Sequence, residues 1–205
     1  MGFYTDVIIP LFYDTSMDSS KINEGRKSIL GKITEDEILE IGFGTGINIK
    51  FYPENVKKII GVDVNGGMLK QFDKKSSNGK IEIELLHRSG ETLPFHDNSI
   101  NAAISTYTLC SIKNVTSSLS EIFRVLKPGG KYYFLEHGLA DNPKTQKWQH
   151  RLNPIQKIWA GGCNLNRDIK LLISNAGFNI IELKNFYMKR DPKIVGYMYE
   201  GIAVK

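Results

Sequence analysis

Ile38-Leu39-Glu40-Ile41-Gly42-Phe43-Gly44-Thr45-Gly46 decides the fold: a short apolar run reads as a buried strand, and it opens directly into a turn with glycines at alternate positions. Three such glycines permit backbone angles that residues with a Cβ resist, and they leave no side chains between main chain and ligand. The spacing is G-x-G-x-G behind an acid, not the G-x-G-x-x-G of a dinucleotide turn, so pyrophosphate binding is disfavoured. The next strand-like run, Lys58 to Asp63, ends in a carboxylate. In an open α/β sheet that position falls at the carboxyl edge, where Asp63 is placed to chelate a ribose diol; the competing reading is a plain helix cap.

Working outward, the α/β alternation continues. Helical signals cover Ser20 to Gly31, Gly46 to Tyr52, Gly66 to Lys75, Thr116 to Leu126 and Ile169 to Asn175. Strand signals cover Glu37 to Ile41, Ile81 to His87, Ile100 to Thr106, Lys131 to Glu136, Asn179 to Tyr187 and Val195 to Val204. The expected fold class is α/β: one Rossmann-like domain over residues 1–205, a mostly parallel seven-stranded sheet with helices on both faces. The last two strands are close enough to pair as a hairpin, which makes the final one antiparallel. Residues 138–165 read as a substrate-facing insertion, longer than an ordinary connection. Its Trp148 and Trp159 wall a pocket or, as the plainer alternative, pack in the core.

With these pieces in place the chain resembles the class I S-adenosylmethionine-dependent methyltransferases. Glu40 to Gly46 is similar to their first motif and Asp63 to their ribose-binding acid. Gly90-Glu91-Thr92-Leu93-Pro94-Phe95 with Asp97-Asn98-Ser99-Ile100 is similar to the adenine-side segment, and Ile122 to Gly130 to the helix-turn before the fifth strand. The resemblance implies S-adenosylmethionine as methyl donor and S-adenosylhomocysteine as product. It implies donor contacts from Glu40, Gly42, Phe43, Gly44, Gly46, Asp63, Val64, Met68, Gly90, Glu91, Thr106 and Tyr107. One departure is Ser89, where similar enzymes often carry an acid; backbone groups of Gly90 and Glu91 then serve the adenine.

Composition bounds the rest. The 205 residues, 41% of them apolar, suit one sizeable core, and the formal charge of +5 is dispersed rather than gathered in a run of like charges. A nucleic-acid partner is therefore not expected. Two cysteines without repeating spacing, and four histidines without an i, i+4 pair, give neither a disulfide framework nor a four-ligand metal site, so no metal is expected and the setting reads as cytoplasmic. Residues 3–14 are apolar and aromatic, but Asp6 and Pro10 interrupt a run too short to span a bilayer, and no signal-peptide pattern precedes it. By the resemblance, residues 1–32 form a helical lid that brings Tyr4 and Tyr13 to the acceptor; the alternatives are a helix packed on the core and a peripheral contact with a membrane interface.

The acceptor is read from the carboxyl-terminal third. Leu109-Cys110-Ser111-Ile112-Lys113-Asn114, Phe134-Leu135-Glu136-His137 and Gly162-Cys163-Asn164-Leu165 with Arg167 are similar to motifs of methyltransferase-like proteins that methylate small thiols. Those relatives carry an amino-terminal membrane anchor whose pattern residues 3–14 do not show. The same motifs are similar to phospholipid and quinone methyltransferases, so a lipid-like acceptor is the rival, and a donor-binding sensor or scaffold is the non-catalytic alternative. Transfer from a sulfonium needs an aligned lone pair, and positioning alone supplies on the order of 7–11 kcal/mol. His137, with an ordinary pKa near neutrality, is the candidate base; a hydrogen-bonded loop anchor is the alternative. Cys163 reads either as a substrate contact or as a small buried hydrophobe.

Overall fold

The computed structural model describes residue 15 and residues 17–75 and 80–205, except the side chains of 73–75. Tyr4 and Tyr13, with residues 1–14 and 16 of the expected lid, lie outside the described residues.

The described elements are α1 (Ser20–Leu30), β1 (Glu37–Ile41), a 3-10 turn (Ile47–Phe51), β2 (Lys58–Asp63), α2 (Gly66–Lys75), β3 (Glu82–His87), β4 (Ile100–Thr106), α3 (Val115–Val125), β5 (Leu126–His137), α4 (Pro143–Trp159), α5 (Ile169–Asn175), β6 (Asn179–Tyr187) and β7 (Tyr197–Val204). The sheet order is β3-β2-β1-β4-β5-β7-β6. Pairing is parallel from β3 to β5, and β7 runs antiparallel between β5 and β6, as the hairpin reading expects.

Strand sequences explain the layering. In β1, Leu39 and Ile41 enter one core while Ile38 enters the other; in β5, Tyr132 and Phe134 face the first and Tyr133 and Leu135 the second. Both faces of the central strands are apolar, so both must be covered. α3 and α5 cover one face through Leu119, Ile122 and Ile173, and α1 covers the other through Ile29 and Leu30.

Residues 138–165 are mostly one helix. Asn142 caps α4 by accepting from the amides of Lys144 (2.9 Å) and Thr145 (3.3 Å), and Pro143 occupies the first turn, where its missing N–H costs nothing. The helix buries only Thr145 and Gln149. Trp148 is 51% and Trp159 75% exposed, and neither lines the cleft described below, which corrects both sequence readings of the tryptophans. The reason is that α4 anchors itself through Gln149, which bonds the carbonyls of Gly138 and Ile194 and the amide of Ala140, rather than through an apolar face.

Candidate active site

β1 stops at Ile41 because the amides of Gly42 and Phe43 turn to the carbonyl of Val62, at 2.8 and 3.3 Å. Gly42, Gly44 and Gly46 all have positive φ (76°, 60° and 76°). A Cβ on Gly42 would lie 2.1 Å from Thr108 Oγ1, so this turn fits against the loop after β4 only as bare main chain. Asp63, at the end of β2, accepts from the Gly44 amide through Oδ2 (2.8 Å) and from the Asn65 amide through Oδ1 (2.7 Å). Helix capping belongs to Asn65, whose Oδ1 accepts from the amides of Gly67 and Met68. Asp63 instead braces the glycine turn, and burial raises its pKa above the usual carboxylate range.

These residues line a cleft of about 460 Å³ at the carboxyl edge of the sheet. Its volume lies within the range, about 300–1,000 Å³, of small-molecule sites. Of the sequence candidates, Gly42, Gly44, Asp63, Val64, Met68, Gly90, Glu91 and Tyr107 line it. Glu40, Phe43, Gly46, Thr106 and His137 do not.

The residues off the lining hold the turn from behind. Glu40 is buried, and its oxygens accept from Asn48 Nδ2 (2.6 Å) and Tyr52 Oη (2.9 Å). Burial pushes its pKa up to about 7 despite those bonds. Asn48 Nδ2 also reaches Thr106 Oγ1 at 3.0 Å, tying the end of β4 to the same network. Phe43 packs edge-on against Phe72, and Gly46 leaves room for that ring.

Another stretch of wall is formed by Tyr107, Thr108, Ser111, Ile112 and Lys113, with Ala160 and Gly161 after α4. Tyr107 has φ +54°, a costly conformation for a residue with a Cβ, under the Arg26 guanidinium 5.0 Å from its ring centroid. The following amide, Thr108 N–H, donates to Glu136 Oε2 at 2.8 Å, while Ser105 Oγ donates to Glu136 Oε1. Glu136 therefore secures this wall. Its burial raises its pKa to about 8.

His137 stands behind the wall. Its Nε2 lies 2.7 Å from Cys163 Sγ, and the Cys110 thiol, the Cys163 thiol and the imidazole all fall within 4.8 Å of one another. The two thiols shift in opposite directions. A hydrogen bond from Cys163 holds Cys110 well below the usual thiol range, and the same bond, with burial, holds Cys163 above it. Burial alone would lower the His137 pKa, but the neighbouring Cys110 sulfur turns the net shift upward. The imidazole thus faces sulfur, not the cleft, and the base role expected for it is not carried by this geometry.

Arg88, Thr108, Ala160 and Gly161 were not among the sequence candidates. A β-strand edge predicts Arg88, one residue past β3; nothing local marks the other three, which meet the site only through tertiary packing.

Comparison with known proteins gives a consistent picture. The family described as "Methyltransferase domain" matches residues 39–134. Thiol S-methyltransferase TMT1A of Homo sapiens is 31% identical over 208 residues, covering 98% of this chain and 85% of the relative. The ubiquinone/menaquinone biosynthesis C-methyltransferase UbiE of Brucella canis is 30% identical over 145 residues, covering 61% of this chain and 54% of the relative. The crystal structure of an S-adenosylmethionine-dependent methyltransferase from Mesorhizobium loti shares the fold, with a TM-score of 0.69 at 15% identity over 92% of this chain and all of that one.

Proposed function

The chain belongs to the S-adenosylmethionine-dependent methyltransferases, and on that premise we propose that its acceptor is a small thiol, taken into the cleft beside Tyr107 and Lys113 as the thiolate. The donor, when bound, supplies a methyl carbon made electrophilic by its sulfonium. Asp63, braced by the Gly44 amide, is the group placed to accept from the ribose hydroxyls. The bare turn at Gly42 and Gly44 leaves main chain open to the donor's amino-acid end, and Gly90 and Glu91 stand for the adenine edge.

The observation that carries the thiol reading is the charge of the cleft. Exposed Lys113 lines its acceptor side and its side chain enters no ion pair among the described residues, whereas Arg88, the other cation on the lining, follows β3 in the donor half with Asp63 and Glu91. A nearby cation lowers a thiol's pKa, and a thiolate needs no protein base. An un-ionised quinol or amine would need one, and the two carboxylates on the lining, Asp63 and Glu91, both belong to the donor half. The likeness to the human thiol S-methyltransferase over nearly the whole chain supports the same choice.

The lipid-like rival predicts a surface for membrane contact, and α4 offers one. Trp148, Ile155, Ile158 and Trp159 are exposed on it, and its charged residues are Lys144, Lys147, Arg151 and Lys157, with no acid. We propose that α4 rests peripherally on an anionic membrane surface, which concentrates an apolar thiol at the cleft. Among the described residues no helix is long and apolar enough to cross a membrane.

One assay tests both statements: labelled methyl transfer to small thiols, phosphatidylethanolamine and quinols, with and without anionic vesicles, with sedimentation of the protein measured in parallel. Thiol turnover with vesicle binding is expected. Turnover of the lipid or quinol with inert thiols overturns the acceptor, and failure to sediment with vesicles overturns the membrane contact.

A further inference from the structure

We propose that Cys110, His137 and Cys163 form a binding site for a divalent metal ion of the zinc class, immediately behind the acceptor-side wall of the cleft. The residues lie on three separate segments, the loop after β4, the end of β5 and the turn after α4, so no sequence spacing announces them. The fold nevertheless gathers two sulfurs and one imidazole nitrogen within 4.8 Å.

The surroundings place the donors firmly. Asn164 donates to the Cys110 carbonyl through both its backbone N–H and its Nδ2, each at 2.8 Å, which locks the two cysteine segments together. Arg167 reaches the carbonyls of Leu109 and Ile112 from the far side, and its own carbonyl accepts from the Leu139 amide at 2.8 Å. Each donor therefore sits on backbone fixed by hydrogen bonds to a neighbouring segment, the preorganisation a metal centre requires.

The donor chemistry selects the ion. Two thiolates and a neutral imidazole suit zinc, and two thiolates balance its charge. Three protein ligands leave a fourth position for water. With bonds of about 2.3 Å to sulfur and 2.1 Å to nitrogen, tetrahedral ligands stand about 3.5–3.8 Å apart. The Nε2-to-Cys163 contact of 2.7 Å would open by roughly 0.8 Å, within reach of side-chain rotation. Among the described residues His137 Nδ1 is buried without a hydrogen-bond partner, and Nε2 reaches Cys163 inside the cluster.

Ser111, whose Oγ is 3.4 Å from Cys110 Sγ, lines the cleft, so a metal here would stiffen the wall against which the acceptor packs. This assignment stands whether or not the acceptor is a thiol.

The chain has two cysteines, so thiolate-to-metal charge transfer can arise only from this cluster. The full chain, kept reduced, is titrated with Co²⁺ and then Zn²⁺. One equivalent of cobalt with a sulfur charge-transfer band and tetrahedral ligand-field absorption, both bleached by zinc, is expected. Cys110→Ser and Cys163→Ser should each weaken the band and lower affinity at least about tenfold, and His137→Gln should keep the band while losing affinity. Circular dichroism checks that each variant is folded; Cys163, less buried than Cys110, keeps the test open if Cys110→Ser unfolds. Cobalt bound without a sulfur band, an unchanged band in both cysteine variants, or a reduced protein that takes up neither metal overturns the site. So does intact-mass evidence that the cysteines persist as a disulfide under the reducing conditions of the titration.

Discussion

The two halves of the cleft are built in different ways. The half we assign to the donor, from Gly42 through Asp63 to Gly90, is made by backbone amides close in sequence: Asp63 takes one from Asn65 two residues on and one from Gly44 nineteen residues back. The half we assign to the acceptor is made by side chains far apart in sequence, with Glu136 holding Thr108 across 28 residues and Arg167 holding Leu109 across 58. The donor half can be recognised from a short stretch, because bare main chain and one carboxylate are what it consists of. The acceptor half depends on how the whole sheet closes, and that is where one methyltransferase can differ from another without changing fold.

The largest effect should come from filling the donor turn. Gly42→Val puts a β-branched residue at φ +76°, with its Cβ 2.1 Å from Thr108 Oγ1 and 2.8 Å from Thr108 Cβ, so rotating the threonine cannot clear it. Donor affinity, measured by calorimetry on protein shown to be folded, should fall about 1,000-fold, ~4 kcal/mol. Retained affinity would break the comparison, since the turn would then not be the donor's cradle.

Glu40 sharpens it, because this donor-half residue is held by side chains and not by amides. Its pKa is raised from 4.5 to about 7, chiefly by burial. Below pH 4.5 the carboxyl is protonated in folded and unfolded chains alike, and it costs the fold nothing. Between 4.5 and about 7 the unfolded chain ionises first, so stability declines as pH rises, by roughly 3 kcal/mol in total, and the cost is complete above that window. Glu40→Gln should remove this part of the pH dependence. Urea midpoints at pH 4.5 and 7.5 in both proteins check it; an identical decline in the variant would mean that Glu40 is not the group responsible.

How much was legible in the sequence follows from the same contrast. β1, β2 and the intervening glycine turn announce themselves, since strand period and glycine spacing are local. Eight of the donor-half and Tyr107 assignments line the cleft, but Glu40, Phe43, Gly46 and Thr106 do not, because sequence says that a residue is near a turn and not which side of the turn its side chain takes. His137 shows the limit on the acceptor side. Its position after β5 was readable, yet its ring faces Cys163, a residue 26 positions on that only the turn after α4 brings home. The tryptophans of α4 misled for a related reason: large apolar side chains are usually internal, but this helix is anchored by the polar Gln149 and leaves them outside.

The smallest expected effect tests whether the acceptor half acts through its charge. Lys113 lines the cleft on an exposed loop, where screening limits one cation to about 1 kcal/mol or less. If it favours the ionised thiol, Lys113→Ala should move the apparent pKa on kcat upward by roughly half a unit, because kcat reports ionisation in the bound complex, while donor affinity stays unchanged. The shift should shrink as salt is added to the wild type, towards the value seen in the variant. A kcat profile that does not move would place thiol ionisation elsewhere. The acceptor wall would then work by shape alone, as the donor turn does at Gly42.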